Sequence, residues 1–278
     1  MLLPRTLSFI VLLSVFLTAV LSDSPVGKAA FMTLAALLAY GAVWEFLHMY
    51  EQMNKPSWKK VTSCLSVMII LAAFFNGKWN FEVSGLVALA AAGAWFLLLF
   101  GNNQREYLEK VVNSLTGLVM VLLPLIPLVL IYDEKGATEG RFLVLYLILV
   151  TKAGDTGAYI TGTLTHRIIG HNHKIVPWIS PKKSWEGTFG GLVLSVSVSL
   201  LLCFYLLKTG NWIWAAIAGI VLFLGGFAGD LVESVLKRTA GVKDSNTIIP
   251  GMGGVLDVVD SLMLNAPIFY YVFLPFMK

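Results

Sequence analysis

Nine stretches of this chain are apolar for long enough to cross a bilayer, and that repetition constrains the fold more than any other feature. A hydrocarbon layer about 30 Å thick requires roughly 17 to 25 helical residues. Candidates lie near residues 4–22, 26–48, 61–76, 82–101, 113–132, 142–163, 185–208, 211–236 and 254–276. Lipid offers no partner to an unpaired backbone N–H or C=O, so such runs must fold as helices. The reading is an all-α, polytopic integral membrane bundle of about nine transmembrane helices, the short third run being tilted or re-entrant. Composition agrees: 57% of the 278 residues are hydrophobic and 13% are charged, against about a quarter charged in soluble domains. The net charge of +4 would hint at nucleic acid in a soluble protein. Here it reads as cytoplasmic loops and contacts with anionic lipid.

The positive charges orient the bundle. Arg5, Lys55, Lys59, Lys60, Arg105, Lys110, Arg167, Lys174, Lys182, Lys183, Lys237, Arg238 and Lys243 fall on the side of the amino terminus and the even-numbered loops, against Lys28, Lys78, Lys135, Arg141, Lys208 and Lys278 opposite. The richer side is placed in the cytoplasm. The first run follows Arg5 but lacks a small-x-small cleavage pattern around Thr18 to Ser22, so it is read as a retained span. Cys64 and Cys203 sit in apolar runs without CxxC spacing and read as small buried hydrophobes. Residues 1–140 form about five hydrophobic spans nearly free of charge, Glu45 being the exception. Residues 141–278 hold about four spans, the cytoplasmic loops and the chemistry, and no soluble domain separates.

The stretch from Gly225 to Ser261 concentrates that chemistry. Asp230, Glu233 and Lys237 fall at i, i+3 and i+7, with Ser234 beside them, so a continuing helix presents them on one face. After a loop punctuated by Pro250, Gly251, Gly253 and Gly254, Asp257 and Asp260 lie one helical turn apart. Carboxylates from two segments suit a hard divalent cation, because Mg2+ takes oxygen ligands from one or two acids and completes its shell with substrate phosphate. Lys237, Arg238 and Lys243 are placed to hold phosphate.

Two further constellations precede it. The sixth span contains Lys152, Asp155 and Tyr159 at i, i+3 and i+7; with about 1.5 Å of rise per residue, Asp155 lies some 20 Å along a helix that starts near Phe142. A charge at that depth costs roughly 2.5 to 3.5 kcal/mol, so Lys152 and Asp155 must pair or face a wet cavity; a pair that merely fixes helix register is the bland alternative. The loop before the seventh span reads SPKKSWEG, and Ser180, Lys182, Lys183 and Glu186 can meet phosphate through ammonium groups and free helix N–H donors. The alternative there is a topological flank. His171 and His173 form an HxH without a third ligand and read as solvated loop. Trp212 and Trp214 read as interfacial residues.

These motifs resemble the signature of the phosphatidate cytidylyltransferase family, the CDP-diacylglycerol synthases. The likeness runs through Ser234 to Asp244 (SVLKRTAGVKD), Pro250 to Asp257 (PGMGGVLD), Asp260, SPKKSWEG, Gly229 to Ser234 and Asp155 to Gly162. It covers about residues 150–262 in order, while the first 140 residues agree only in hydrophobicity. Met252 stands where the family usually has His, Val258 where it has Arg, and Ser184 where it has Thr.

The resemblance implies attack of a phosphatidate phosphate oxygen on the α-phosphorus of CTP, yielding CDP-diacylglycerol and pyrophosphate. Asp230, Asp257 and Asp260 are the implied Mg2+ ligands; Asp230, Asp257, Lys237, Arg238 and Lys243 carry catalysis. Substrate binding is assigned to Lys152, Asp155, Ser180, Lys182, Lys183, Glu186, Glu233, Ser234, Asp244 and Asn246. A K+ ion beside Mg2+, a homodimer, and a bacterial inner membrane with the site toward the cytoplasm are also implied. Two rivals stand beside this reading: another membrane nucleotidyl- or phosphotransferase acting on a lipid phosphate, and an ion or solute transporter. Transporters commonly show two related halves, whereas this chain keeps its chemistry in one.

Overall fold

The computed structural model describes residues 14–79, 93, 104–134, 139–246, 248–249 and 253–277. Every described element is helical, and there is no strand among the described residues. We number the long helices α1 (Pro25–Gln52), α2 (Lys59–Trp79), α3 (Gln104–Tyr132), α4 (Gly140–Ile169), α5 (Trp185–Leu207), α6 (Trp212–Thr239) and α7 (Leu256–Phe276). Six of them, all but α2, are long and apolar enough to cross a membrane. The runs expected to span at 4–22 and 82–101 lie mostly outside the described residues, and that expected at 61–76 is α2, with 21 helical residues. The described chain is thus an all-helical membrane protein with six candidate spans; the count of nine goes beyond it.

Contacts divide the chain into two compact units, Met1–Leu130 with Thr239–Val259, and Ile131–Arg238 with Asp260–Lys278. The sequence suggests a division near residue 140 because charge begins there. Contacts draw the loop after α6 and the first turn of α7 into the unit that holds α1.

In the first unit, α1 begins at a cap that the sequence spells out: Ser24 Oγ accepts from Gly27 N at 3.2 Å and Pro25 occupies the first turn, where its missing N–H costs nothing. Phe31, Ala35, Ala39, Phe46 and Leu47 bury one face of α1. Trp58 N donates to Ser114 Oγ at 3.0 Å and Asn113 Nδ2 to Pro56 O at 2.7 Å, fixing the α1–α2 connection against α3. Within α3, Leu118–Leu122 widens to π geometry just before Pro124. A wider turn is one way a helix accommodates a residue that cannot donate.

The second unit packs through small residues, as membrane helices must when burial of apolar surface gives no net drive. A Cβ at Gly157 would lie 2.8 Å from Leu194 Cβ, and one at Gly191 would lie 2.6 Å from Gly154 O. Backbones of α4 and α5 therefore touch. Hydroxyls join the same faces: Ser195 Oγ donates toward Val150 O and Gly219 O at 3.2 and 3.1 Å, and Tyr146 Oη lies 2.6 Å from Ser199 Oγ. Cys203 is buried, as expected, but Cys64 sits on the exposed face of α2. An exposed thiol in an apolar helix suits a lipid-facing position as well as a buried one does, and the sequence pattern does not separate the two.

Candidate active site

Three helices of the second unit bring acids together. On α6 the spacing of Asp230 and Glu233 places them on one face, and Glu233 pairs with Lys237 one turn on at 2.8 Å. From α7 comes Asp260, buried, its Oδ1 accepting from Ser261 N at 2.5 Å. The approach is possible because α6 has glycine opposite: a Cβ at Gly229 would lie 2.5 Å from Asp260 O. Carboxylate oxygens of Asp230, Glu233 and Asp260 consequently lie within 4.8 Å of one another.

Such a cluster is electrostatically expensive. At this separation two unit charges repel by roughly 3 kcal/mol in an effective dielectric of about 20, so neighbouring cations are required. Lys183 supplies one, with Nζ 2.8 Å from Asp230 Oδ2. The same ammonium donates to Phe227 O at 3.0 Å and lies 4.0 Å over the Phe227 ring. From α4, Lys152 Nζ lies 3.2 Å from Asp155 Oδ2 and donates to Ser261 Oγ at 2.9 Å. The pairing that depth in the membrane demands of Lys152 and Asp155 is therefore present, and both side chains remain half-exposed. A half-exposed charge pair at such depth must open onto water, not hydrocarbon.

Asn265, fully buried, braces this wall. Its Nδ2 donates to Thr151 Oγ1 and Leu222 O, each at 2.8 Å, tying α7 to α4 and α6 just below the acids.

The loop between α4 and α5 is held back over the site. Gly170 closes α4 in the left-handed region at φ 85° and bonds His166 O, the usual glycine stop. Lys174 and Ser184 form an antiparallel bridge, and Ile175 N donates to Lys183 O. Ser180 shapes a turn in which its N–H bonds Val176 O and its carbonyl accepts from Lys183 N. Arg238 Nε reaches Ile179 O at 3.4 Å. The adjacent lysines separate in role: Lys183 turns inward to Asp230, while Lys182 is exposed. Of the helix N–H groups expected to meet phosphate, that of Gly187 is already capped by Ser184 Oγ at 3.2 Å. Glu186 accepts from His173 N at 3.1 Å and sits 2.7 Å from His173 Nδ1, so the second histidine of HxH orders the loop. Ser234 is half-buried on α6.

The remaining expected site residues belong to the first unit. Lys243 and Asp244 are exposed and Asn246 is half-buried. Asp257 Oδ2 accepts from Gly254 N at 2.6 Å, Ser245 Oγ at 2.8 Å and Ser245 N at 3.2 Å. Gly253 makes this possible, with φ 96° and a missing Cβ that would lie 2.5 Å from Asp257 Oδ2. Pro250, Gly251 and Met252 lie outside the described residues. No spacing or motif in the sequence gives Glu45, Ser245, Ser261, Phe227 or Asn265 a part in the site. For Glu45 alone there was a signal, a single acid inside an apolar run.

The donor chemistry fits Mg2+. Asp230, Glu233 and Asp260 offer only carboxylate oxygens, which a hard cation takes, and no soft sulfur or imidazole competes within the group.

Comparison with known proteins points the same way. The model of the Cytidylyltransferase family matches residues 3–276. A phosphatidate cytidylyltransferase of Staphylococcus haemolyticus is 33% identical over 270 residues, covering 95% of this chain and 96% of its own length. One from Staphylococcus saprophyticus is 34% identical over 271 residues, with 95% and 96% covered. One from Haemophilus influenzae is 32% identical over 293 residues, covering 98% of both chains. With the match extending through the hydrophobic first half as well as the charged second, this chain belongs to the cytidylyltransferase family.

Proposed function

We propose that the chain is a phosphatidate cytidylyltransferase, joining CTP and phosphatidate into CDP-diacylglycerol with release of pyrophosphate. The observation that carries the reading is the group Asp230, Glu233 and Asp260, flanked by Lys237 and Lys152, all within candidate membrane spans, and by Lys183 from the loop before α5. A structural helix bundle has no use for so many charges at that depth.

In the reaction a phosphate oxygen of phosphatidate bonds to the α-phosphorus of CTP while the bond from that phosphorus to the bridging oxygen breaks, and pyrophosphate leaves with the electron pair. Such transfers ask little covalent work of the protein, so alignment and charge stabilisation carry the rate. Asp230 and Asp260, with Asp257 one turn upstream on α7, are assigned to Mg2+; the donors around Asp257 suit a carboxylate held in orientation by its neighbours. When bound, Mg2+ supplies Lewis-acid neutralisation of the triphosphate. Lys237, Arg238 and Lys243 meet the phosphates of CTP or of departing pyrophosphate. Lys183 holds Asp230, and exposed Lys182 meets substrate phosphate at the mouth. Lys152 and Asp155 line the wet wall, with Ser180, Glu186, Glu233, Ser234, Asp244 and Asn246 completing the substrate surface.

The excess of Lys and Arg on one set of loops supports a cytoplasmic mouth in a bacterial inner membrane. A K+ ion beside Mg2+ and a homodimer belong to the same reading. Purified protein in detergent, given phosphatidate, Mg2+ and each of the four nucleoside triphosphates in turn, tests it. A lipid-linked nucleotide should form with CTP. Absence of any such product, or transport without product, would end the proposal.

A further inference from the structure

Glu45 is the one acid within its apolar run, it is 0% exposed, and the proposed reaction does not use it. A buried carboxyl group persists only if its oxygens find donors. Those donors come from some 200 residues away: Oε1 accepts from Val255 N at 3.0 Å, and Oε2 from Leu256 N and Ser245 Oγ, each at 2.9 Å. The two amides open α7, so α1 holds the start of the helix that carries Asp257.

Ser245 extends the hold to Asp257 itself. Its Oγ lies 2.9 Å from Glu45 Oε2 and 2.8 Å from Asp257 Oδ2, yet a hydroxyl has one proton to give. Turned to Glu45, it leaves Asp257 Oδ2 with the amides of Gly254 and Ser245; turned to Asp257, it leaves Glu45 with those of Val255 and Leu256. Both carboxyl groups keep partners in either orientation. The spacing is fixed by Gly254, where a Cβ would overlap both Ser245 Oγ and the Glu45 carboxyl group.

We propose that Glu45 is a positioning residue for Asp257, acting through the Ser245 hydroxyl and the Val255 and Leu256 amides. This rests on the reading in which Asp257 holds the metal. It assigns work in the reaction to the hydrophobic first half of the chain.

Mn2+ serves as the probe, its binding to the purified full-length protein in detergent followed by electron paramagnetic resonance, with CTP-dependent turnover measured alongside. Wild type is compared with Asp257→Asn, Glu45→Gln, Ser245→Ala and the double variant of the last two. Glutamine keeps the size of Glu45 but turns an NH2 group toward donors. Loss of a group that orients a metal ligand typically weakens the metal by about 10- to 100-fold, and that loss is expected for Glu45→Gln. Because both act on one link, the double variant should be no weaker than the weaker single one. Should Asp257→Asn lose Mn2+ while Glu45→Gln binds it as wild type does, or should the two effects multiply, this inference alone falls. Should Asp257→Asn bind Mn2+ normally, the metal reading falls and takes the inference with it. If Glu45→Gln does not fold, Ser245→Ala decides, since it spares the contacts of Glu45 with the Val255 and Leu256 amides; wild-type Mn2+ affinity there overturns the proposal.

Discussion

Replacing Gly229 by alanine adds one methyl group at the closest approach of α6 and α7. The new Cβ would lie 2.5 Å from Asp260 O and 3.2 Å from both Asp260 C and Ser261 Cα. Ordinary contact begins near 3.4 Å, so the helices must part by 3.4 − 2.5, or 0.9 Å, at the point where the acids meet. All three obstructing atoms are backbone, which cannot swing aside as a side chain does. Overpacking of this kind costs about 1–3 kcal/mol of stability. The larger effect falls on the reaction, because a misplacement of about 1 Å in an aligned site can cost about 100-fold in rate. Gly162→Ala is the control: its nearest neighbour would be Ser184 Oγ at 3.5 Å, and alanine in a helix gains roughly 0.5–1 kcal/mol over glycine. CTP-dependent liponucleotide formation by both variants, with thermal midpoints in detergent, gives the comparison. Gly229→Ala at wild-type turnover would refute the inference that α6 and α7 set the site by backbone contact.

The two loop lysines should separate kinetically: Lys183→Met is expected to lower kcat by about 10- to 100-fold, because it strips a charge partner from Asp230, whereas Lys182→Ala is expected to raise KM several-fold with kcat kept. Equal effects would return both to a topological role. Asn265→Leu removes two buried hydrogen bonds and should cost roughly 1–3 kcal/mol, read as a lowered thermal midpoint; an unchanged midpoint would show that Asn265 does not brace the three helices.

How much of this was readable in the chain depends on sequence distance. Asp230, Glu233 and Lys237 share a helix, and their spacing alone places them on one face, with the Glu233–Lys237 pair following from i, i+4 geometry. Lys152 and Asp155 pair for the same reason. Glu45 and Leu256 are separated by 211 positions, and no periodicity connects them. Lys183 likewise looks like Lys182 in a string of letters; only the fold of the loop turns one toward Phe227 and Asp230. Asn265 sits in an apolar run where a polar residue could face lipid headgroups, a cavity or a neighbouring helix. The π segments at Leu118–Leu122, Cys203–Leu207 and Phe269–Phe273 leave no trace in hydropathy, since a wider turn changes register and not composition.

The proposed cytidylyl transfer turns on a divalent cation assigned to Asp230, Asp260 and Asp257, with Glu233 within 4.8 Å of the first two. A Mg2+ titration of liponucleotide formation, run on wild type and Asp260→Asn after chelation, addresses it most directly. Wild type is expected to give no product without added divalent metal and to recover fully on adding Mg2+, while Asp260→Asn inserts normally yet needs at least about ten times more Mg2+ or stays inactive. Turnover that survives chelation, or an Asp260→Asn curve superimposed on wild type, would contradict that assignment.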